Sequence, residues 1–191
     1  DREPLIPANH IIATEQLALG GTYVASTAVS AKNDIGTFQD KSGIVVKSKD
    51  LNVVFDPVTG WLKTYRYKGT SFMDEAAAFK ANFWRAPNDN DIGANIPSKL
   101  KGWKEVTQVT QVQDIRYEVK DNLAHVTVVH ALPAVFATLE MYYVINSLGE
   151  IKVTERLTID SSQKVEVLPR FGMQWVLPEG FEQVEYYGRG P

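Results

Sequence analysis

Residues 83–93 read FWRAPNDNDIG and bring several chemically capable side chains together. Trp84 and Arg85 precede a proline, and Asn88, Asp89, Asn90 and Asp91 follow in a row. One chemistry that suits such a run is cation binding. A calcium-binding helix–loop–helix needs glycine at its sixth loop position and a carboxylate at its twelfth. Counting from Asp89 places Ala94 and Leu100 there, and counting from Asn88 places Gly93 and Lys99 there. The twelfth position fails both times, which leaves only a looser ion site. A second chemistry is glycoside cleavage by paired carboxyls, held about 5–5.5 Å apart in retaining enzymes. Asp89 and Asp91 share a side of an extended chain, about 6–7 Å apart. Neighbours on one strand do not flank a bond from two directions, however. A third is a polar wall facing a sugar, with Trp84 stacking on the ring or on Arg85.

The plainer reading is structural. Asx side chains fold back on their own backbone and hold turns. A guanidinium beside them clamps a carboxylate in bidentate fashion. The expectation is therefore a strand running into a structured turn. Arg85, Asn88, Asp89, Asn90 and Asp91 fix that turn by hydrogen bonds and ion pairs, and Trp84 packs in the core. The same six residues are the candidates for a carbohydrate-facing rim, and no catalytic or metal-ligating residue is assigned. Arg170 is a second possible partner for a carboxylate of the turn.

Other chemistries find less support. His125 and His130 are five apart in a predicted strand and so point to opposite faces. They serve structure or surface rather than one metal. Neither a G-x-S-x-G nor a phosphate-loop pattern occurs. With 20 basic and 23 acidic residues mixed along 191, the chain has no footprint for nucleic acid or an anionic membrane. No long apolar run reads as a membrane span. There is no cysteine, which excludes disulfides and thiolate chemistry. Apolar residues at 44% place the chain among globular proteins.

The elements that must position these residues read as strands. In ATLEMYYVIN, Ala137, Leu139, Met141, Tyr143 and Ile145 fall on one face. In IKVTERLTI, Ile151, Val153, Leu157 and Ile159 alternate with polar residues, and Asn146 to Gly149 link the two as a hairpin. Asp56-Pro57-Val58-Thr59-Gly60 forms a second hairpin turn between LNVVF and WLKTY. LAHVTVVHAL is another strand. Val165, Val167, Phe171, Met173, Trp175 and Leu177 share a further apolar face, with Trp175 in the core. Helix is scarce: Ser98 opens one or two turns, and Asp74 caps a short DEAAAFKA helix. The result is an all-β, antiparallel chain of about ten strands in a sandwich pattern. NHIIATEQLAL reads as a lone strand, followed by a Gly-, Ser-, Thr- and Ala-rich stretch that suits a linker or a loosely crossing strand.

FWRAPNDNDIG resembles the signature opening the last domain of glycoside hydrolase family 2 β-galactosidases. LNVVFDPVTGWLKTYRYKG is similar to that domain's entry hairpin, and PRFGMQW and VEYYGRGP to its later strands. NHIIATEQLAL is similar to the last strand of the preceding immunoglobulin-like domain. The resemblance implies a division into residues 1–20 as the tail of that domain, 21–43 as linker, and 44–191 as a cut-short supersandwich of the galactose mutarotase type. It implies a parent enzyme with a jelly roll, two immunoglobulin-like domains and a TIM barrel that carries the catalytic glutamates. No glutamate here inherits those roles. The aromatic wall of the family's galactose site comes from the domain's later half and has no match here. The family's magnesium and sodium ions belong to other domains, so no cofactor is expected in this chain.

The implied partners are the rest of the β-galactosidase chain and a β-galactoside. An open sandwich edge would also favour a homo-oligomer. The function expected is a non-catalytic segment that shapes the active-site rim and supports assembly. The alternative is a free-standing carbohydrate-binding or mutarotase-like module.

Overall fold

Strands with apolar faces build two main antiparallel sheets in the computed structural model, which describes residues 34–74, 76–163 and 167–185, and the alternation of burial is strict only in the second sheet's strands Leu123–Leu132, Ala137–Ile145 and Ile151–Ile159. The first sheet is a five-stranded meander of β1 (Gly36–Asp40), β2 (Gly43–Lys47), β3 (Leu51–Phe55), β4 (Leu62–Tyr67) and β5 (Thr70–Ser71). The second contains β7 (Gln111–Lys120), β8 (Leu123–Leu132), β9 (Ala137–Ile145) and β10 (Ile151–Ile159), in the order β10-β9-β8-β7. A short ribbon pairs β6 (Lys80–Ala81) with β11 (Met173–Gln174). All three lie within the compact unit Ala28–Phe181. The fold is all-β and antiparallel, and no helix among the described residues is long and apolar enough to cross a membrane.

The two main sheets meet through their apolar faces. On β8 the residues Ala124, Val126, Val128, His130 and Leu132 are buried, and their neighbours along the strand are half-buried. β9 repeats the pattern with Ala137, Leu139, Met141, Tyr143 and Ile145. The pairing of Val128 with Met141 and of Val126 with Tyr143 puts both sets on one face. Opposite them stand Val46, Val53 and Phe55 of the meander, in the same core cluster. Phe55 meets Tyr143 edge-to-face, with ring centroids 4.8 Å apart. That geometry adds a specific attraction to the burial of the two rings.

Both predicted hairpin turns form. Asp56 Oδ1 accepts hydrogen bonds from the backbone N–H of Val58 and Thr59, each at 2.9 Å. Gly60 closes the turn at φ +71 and brings Trp61 onto the second sheet, where its ring stacks on His130 at 4.1 Å. In the other turn, Asn146 Oδ1 accepts from Leu148 and Glu150 N–H at 3.0 and 2.9 Å. Helix is as sparse as expected, with α1 (Asp89–Gly93), α2 (Ile96–Lys99) and α3 (Gly102–Glu105) each about one turn long.

Three expectations are corrected. Among its described residues, the DEAAAFKA stretch is not helical. Asp74 holds a local turn through Ala76 N–H at 2.8 Å, and Phe79 is drawn into a bridge with Leu62 before β6 starts. The segment expected to bury Val167, Phe171, Met173, Trp175 and Leu177 forms only the two-residue β11. Pro169 removes one ladder donor and Gly172 supplies no side chain to pack. Phe171, Trp175 and Leu177 are accordingly 52%, 46% and 40% exposed. Trp175 is thus a cleft residue and not core: its indole N–H donates to Phe72 O at 2.6 Å. Val165, the lone N-terminal strand and most of the expected linker lie outside the described residues. The described end of that linker contains β1, which pairs with β2 along its whole length.

Gly60 gives a direct test of the interface between the sheets. A Cβ there would stand 2.5 Å from Val128 Cγ1 and 2.7 Å from His130 Nε2, on a backbone at φ +71. Gly60→Ala is expected to lower the unfolding free energy by about 2–3 kcal/mol. Urea denaturation followed by tryptophan fluorescence measures it, and a change within experimental error would contradict this packing.

Candidate functional site

The loop containing residues 83–93 is anchored to the core by Phe83 and, less deeply, by Trp84. Phe83 is 1% exposed and packs edge-to-face on Trp103 of α3, with centroids 5.4 Å apart. Just before it, Asn82 N–H donates to Gly172 O at 2.6 Å, and Asn82 Oδ1 accepts from Trp84 N–H at 3.0 Å. Trp84 is half-buried against the core cluster. From Arg85 onward the chain is supported by its own polar side chains.

Arg85 and Asp91 form the centre of that support. One guanidinium nitrogen lies 2.6 Å from Asp91 Oδ2, and the other donates to Oδ1 at 2.9 Å. Asp91 Oδ2 also accepts from Asn88 N–H at 2.9 Å, while Asn88 Oδ1 accepts from Asp91 N–H at 3.0 Å. These last two bonds form a reciprocal capping box at the start of α1, with Asn88 as the cap. The Asn88 N–H and then the Arg85 guanidinium hold the Asp91 carboxyl below its usual range. The pairing partner is Arg85 and not Arg170.

This geometry sorts the predicted residues. Arg85, Asn88 and Asp91 come together as a structural knot. Asp89 and Asn90 are exposed on the first turn of α1 and leave the knot's bonds to the other three. The expected strand-to-turn path is corrected here: residues 82–88 are irregular and a one-turn helix follows. On a helix, residues two apart project about 200° from each other, so Asp89 and Asp91 do not share a side. The carboxylate pair suggested by an extended chain is therefore not formed. No cluster of His, Asp and Glu able to hold a metal occurs among the described residues.

The histidines take opposite faces as expected. His130 is fully buried, and its Nε2–H donates to Thr59 O at 3.0 Å. Burial pushes its pKa below the usual value, so it sits neutral in the core. His125 points the other way and bonds the Tyr142 hydroxyl through Nδ1 at 2.6 Å.

A second polar feature went unread in the sequence. Glu155 belongs to the inward register of β10, between Val153 and Leu157. Its Oε1 and the Tyr143 hydroxyl are buried and make no hydrogen bond. Burial pushes Glu155 up to about 7. Burial and then the charge of Glu155 raise the Tyr143 phenol above its usual range. The signal was present in IKVTERLTI, where alternation places one acid among four apolar residues. A cleft of about 470 Å³ is lined by Tyr65, Phe79, Glu150, Val153 and Trp175, and Phe79 in its wall meets the Tyr143 ring edge-to-face.

Two measurements follow from these groups. Asn88→Ala removes one half of the capping box and is expected to cost about 1 kcal/mol of stability, read from chemical denaturation. For Glu155, the folded pKa lies above the unfolded value. Its favourable contribution is complete below about pH 4.5 and is lost as pH rises through about 7. His130 titrates in both proteins, so the difference from Glu155→Gln isolates the glutamate. Wild type is expected to lose about 1–2 kcal/mol relative to the variant across that window, after allowance for solvent around the half-exposed side chain. A flat difference would contradict this environment.

Comparison with known proteins places the chain. A profile of the β-galactosidase small chain matches residues 47–191. The β-galactosidase of Priestia megaterium is 25% identical over 184 residues, covering 96% of this chain and 17% of that protein. The β-galactosidase of Lactobacillus delbrueckii subsp. bulgaricus is 31% identical over 147 residues, covering 76% of this chain and 14% of its own length. The β-galactosidase small subunit of Latilactobacillus sakei is 26% identical over 164 residues, with 75% of this chain matched to 50% of the subunit. The chain therefore spans about a sixth of the large relatives and half of the small subunit. On the extent of the profile match, the chain belongs to the β-galactosidase small chain family.

Proposed function

We propose that this chain is a non-catalytic segment of a β-galactosidase that releases terminal β-D-galactose from β-galactosides. It shapes the rim of the active site and supports assembly with the rest of the enzyme. The observation that carries this reading is the match to the small chain family over residues 47–191, joined to relatives of which this chain is a fraction. The parent enzyme is a retaining glycosidase of family 2, and its acid/base and nucleophile glutamates lie on its barrel. Its partners are the barrel and immunoglobulin-like domains of the same enzyme.

The loop at residues 83–93 supports a rim role by its division of labour. The knot of Arg85, Asn88 and Asp91 stiffens the loop. The exposed Asp89 and Asn90 are left to face outward. Polar groups on a stiffened loop can accept or donate to sugar hydroxyls without a large ordering cost. The segment itself is expected to show no turnover of a chromogenic galactoside above a purified blank. In the whole enzyme, Asp89→Ala with Asn90→Ala is expected to raise KM several-fold while leaving the melting temperature unchanged. Turnover by the segment alone would overturn the non-catalytic assignment, and an unchanged KM in the double variant would overturn the rim assignment.

A further inference from the structure

A groove of about 590 Å³ lies against the turn at residues 56–60, the stretch that leads into β6, and residues 107–110. Strand pairing sets its floor. The bridge between Leu62 and Phe79 brings Trp61 beside Lys80, and Lys80 pairs with Gln174 of β11. Trp61, Lys80 and Gln174 therefore stand in a row, on the face opposite Leu62, Phe79 and Ala81. The floor is stiff, because the Trp61 ring stacks on buried His130 and the Asp56 carboxyl ties down its own turn. The lining lies wholly within the compact unit Ala28–Phe181.

This groove differs from the cleft at Trp175 in what its polar groups do. In the cleft they are engaged: the Tyr65 hydroxyl donates to Gly149 O, Glu150 accepts from the Asn146 amide, and the Trp175 indole donates to Phe72 O. In the groove only Asp56 and Lys63 are engaged, 3.5 Å from each other. The Lys80 ammonium, the Gln108 and Gln174 amides and the Thr107 and Thr110 hydroxyls have no partner among the described residues. Hydroxyls and amides both donate and accept. Set against them are small apolar surfaces, from exposed Val58 and Val176 and from Ala76, Ala77 and Ala78.

We propose that this groove binds a neutral saccharide of one or two sugar units, with its hydroxyls bonded to Lys80, Gln174, Gln108, Thr107 and Thr110 and a ring face against Val58 and the alanines. A sugar ring carries hydroxyls that donate and accept in turn around a weakly apolar body, which is the complement of this lining. The volume falls in the range of about 300–1,000 Å³ usual for small-ligand sites, and a stiff floor keeps the ordering cost low. Other ligand classes fit less well. Lys80 is the one unpaired charge of the lining, too little for a polyphosphate and adverse to a cation. Trp61 is 4% exposed, so it offers no ring face for a nucleobase. An extended peptide would want a free strand edge, and β6 is paired on both sides of this floor.

The test is acetylation of individual lysines in the whole β-galactosidase, followed by peptide mass spectrometry as D-galactose is raised stepwise. Lys80 is expected to react about fivefold more slowly, or slower still, at the highest sugar concentration, with a saturating dependence. Lys120 and Lys152, both exposed on the second sheet, are expected to keep their rates. Gln174→Leu with Thr110→Val is expected to abolish the protection without moving the melting temperature. Protection of Lys80 that is absent, or that rises without saturating, would overturn the proposal. So would a Lys80 that fails to react even without sugar, because another part of the enzyme then covers the groove. Protection by sulfate and not by sugar would overturn it by assigning an anion site. The choice of galactose rests on the reading of the chain as a β-galactosidase segment, so D-glucose is run in parallel. Protection by glucose and not by galactose would support the saccharide site and count against that reading, which keeps the two failures distinguishable.

Discussion

Burial between two sheets is the constraint on which the rest depends. Neither sheet can leave its apolar face in water: the faces carry Val46, Val53 and Phe55 on one side and Val126, Val128, Met141 and Tyr143 on the other. Burial of each large side chain is worth roughly 1.5–3 kcal/mol relative to exposure. The facing pairs, Phe55 with Tyr143 and Trp61 with His130, fix how the sheets lie across each other. The hairpin at Asp56 to Gly60 carries Trp61 to the opposite sheet, where it stacks on His130. Phe83 is bound into the same core, so the loop that follows it starts from a fixed point.

Much of this was legible in the sequence, because burial on one face of a strand leaves a period of two. β8, β9 and β10 coincide with LAHVTVVHAL, ATLEMYYVI and IKVTERLTI, since each lies on a face that is wet on one side and dry on the other. The two turns were legible because each joins an Asx side chain, which bonds its own backbone, to a Gly that takes a positive φ. The segment around Trp175 was misread because its alternation is real but no neighbouring strand among the described residues exploits more than Met173 and Gln174. The helix at Asp89 was missed although Asn88 and Asp91 stand at capping-box spacing, since the run of Asx residues suits a turn equally well. Glu155 was missed because attention to apolar positions passes over the one that is not apolar.

The candidate site illustrates a general trade between chemistry and structure. A carboxylate that accepts from a guanidinium and from a backbone N–H is held ionised and immobile, which suits it to bracing a loop and not to shuttling protons. Asp91 is of that kind. Glu155 is the opposite case, a carboxyl whose buried oxygen is left without a partner. The first group completes a local structure. The second is left open by the structure around it.

On the proposed function, the RAPNDND loop braces the β-galactosidase and takes no part in bond cleavage. A double-mutant cycle on Arg85→Met and Asp91→Asn in the whole β-galactosidase tests it most directly, read both as unfolding free energy and as turnover per folded molecule. Coupling between the two residues is expected in stability, with kcat at saturating galactoside within about tenfold of wild type, a limit of about 1.4 kcal/mol in barrier height. A loss of kcat of a thousandfold or more in variants that remain fully folded would contradict it.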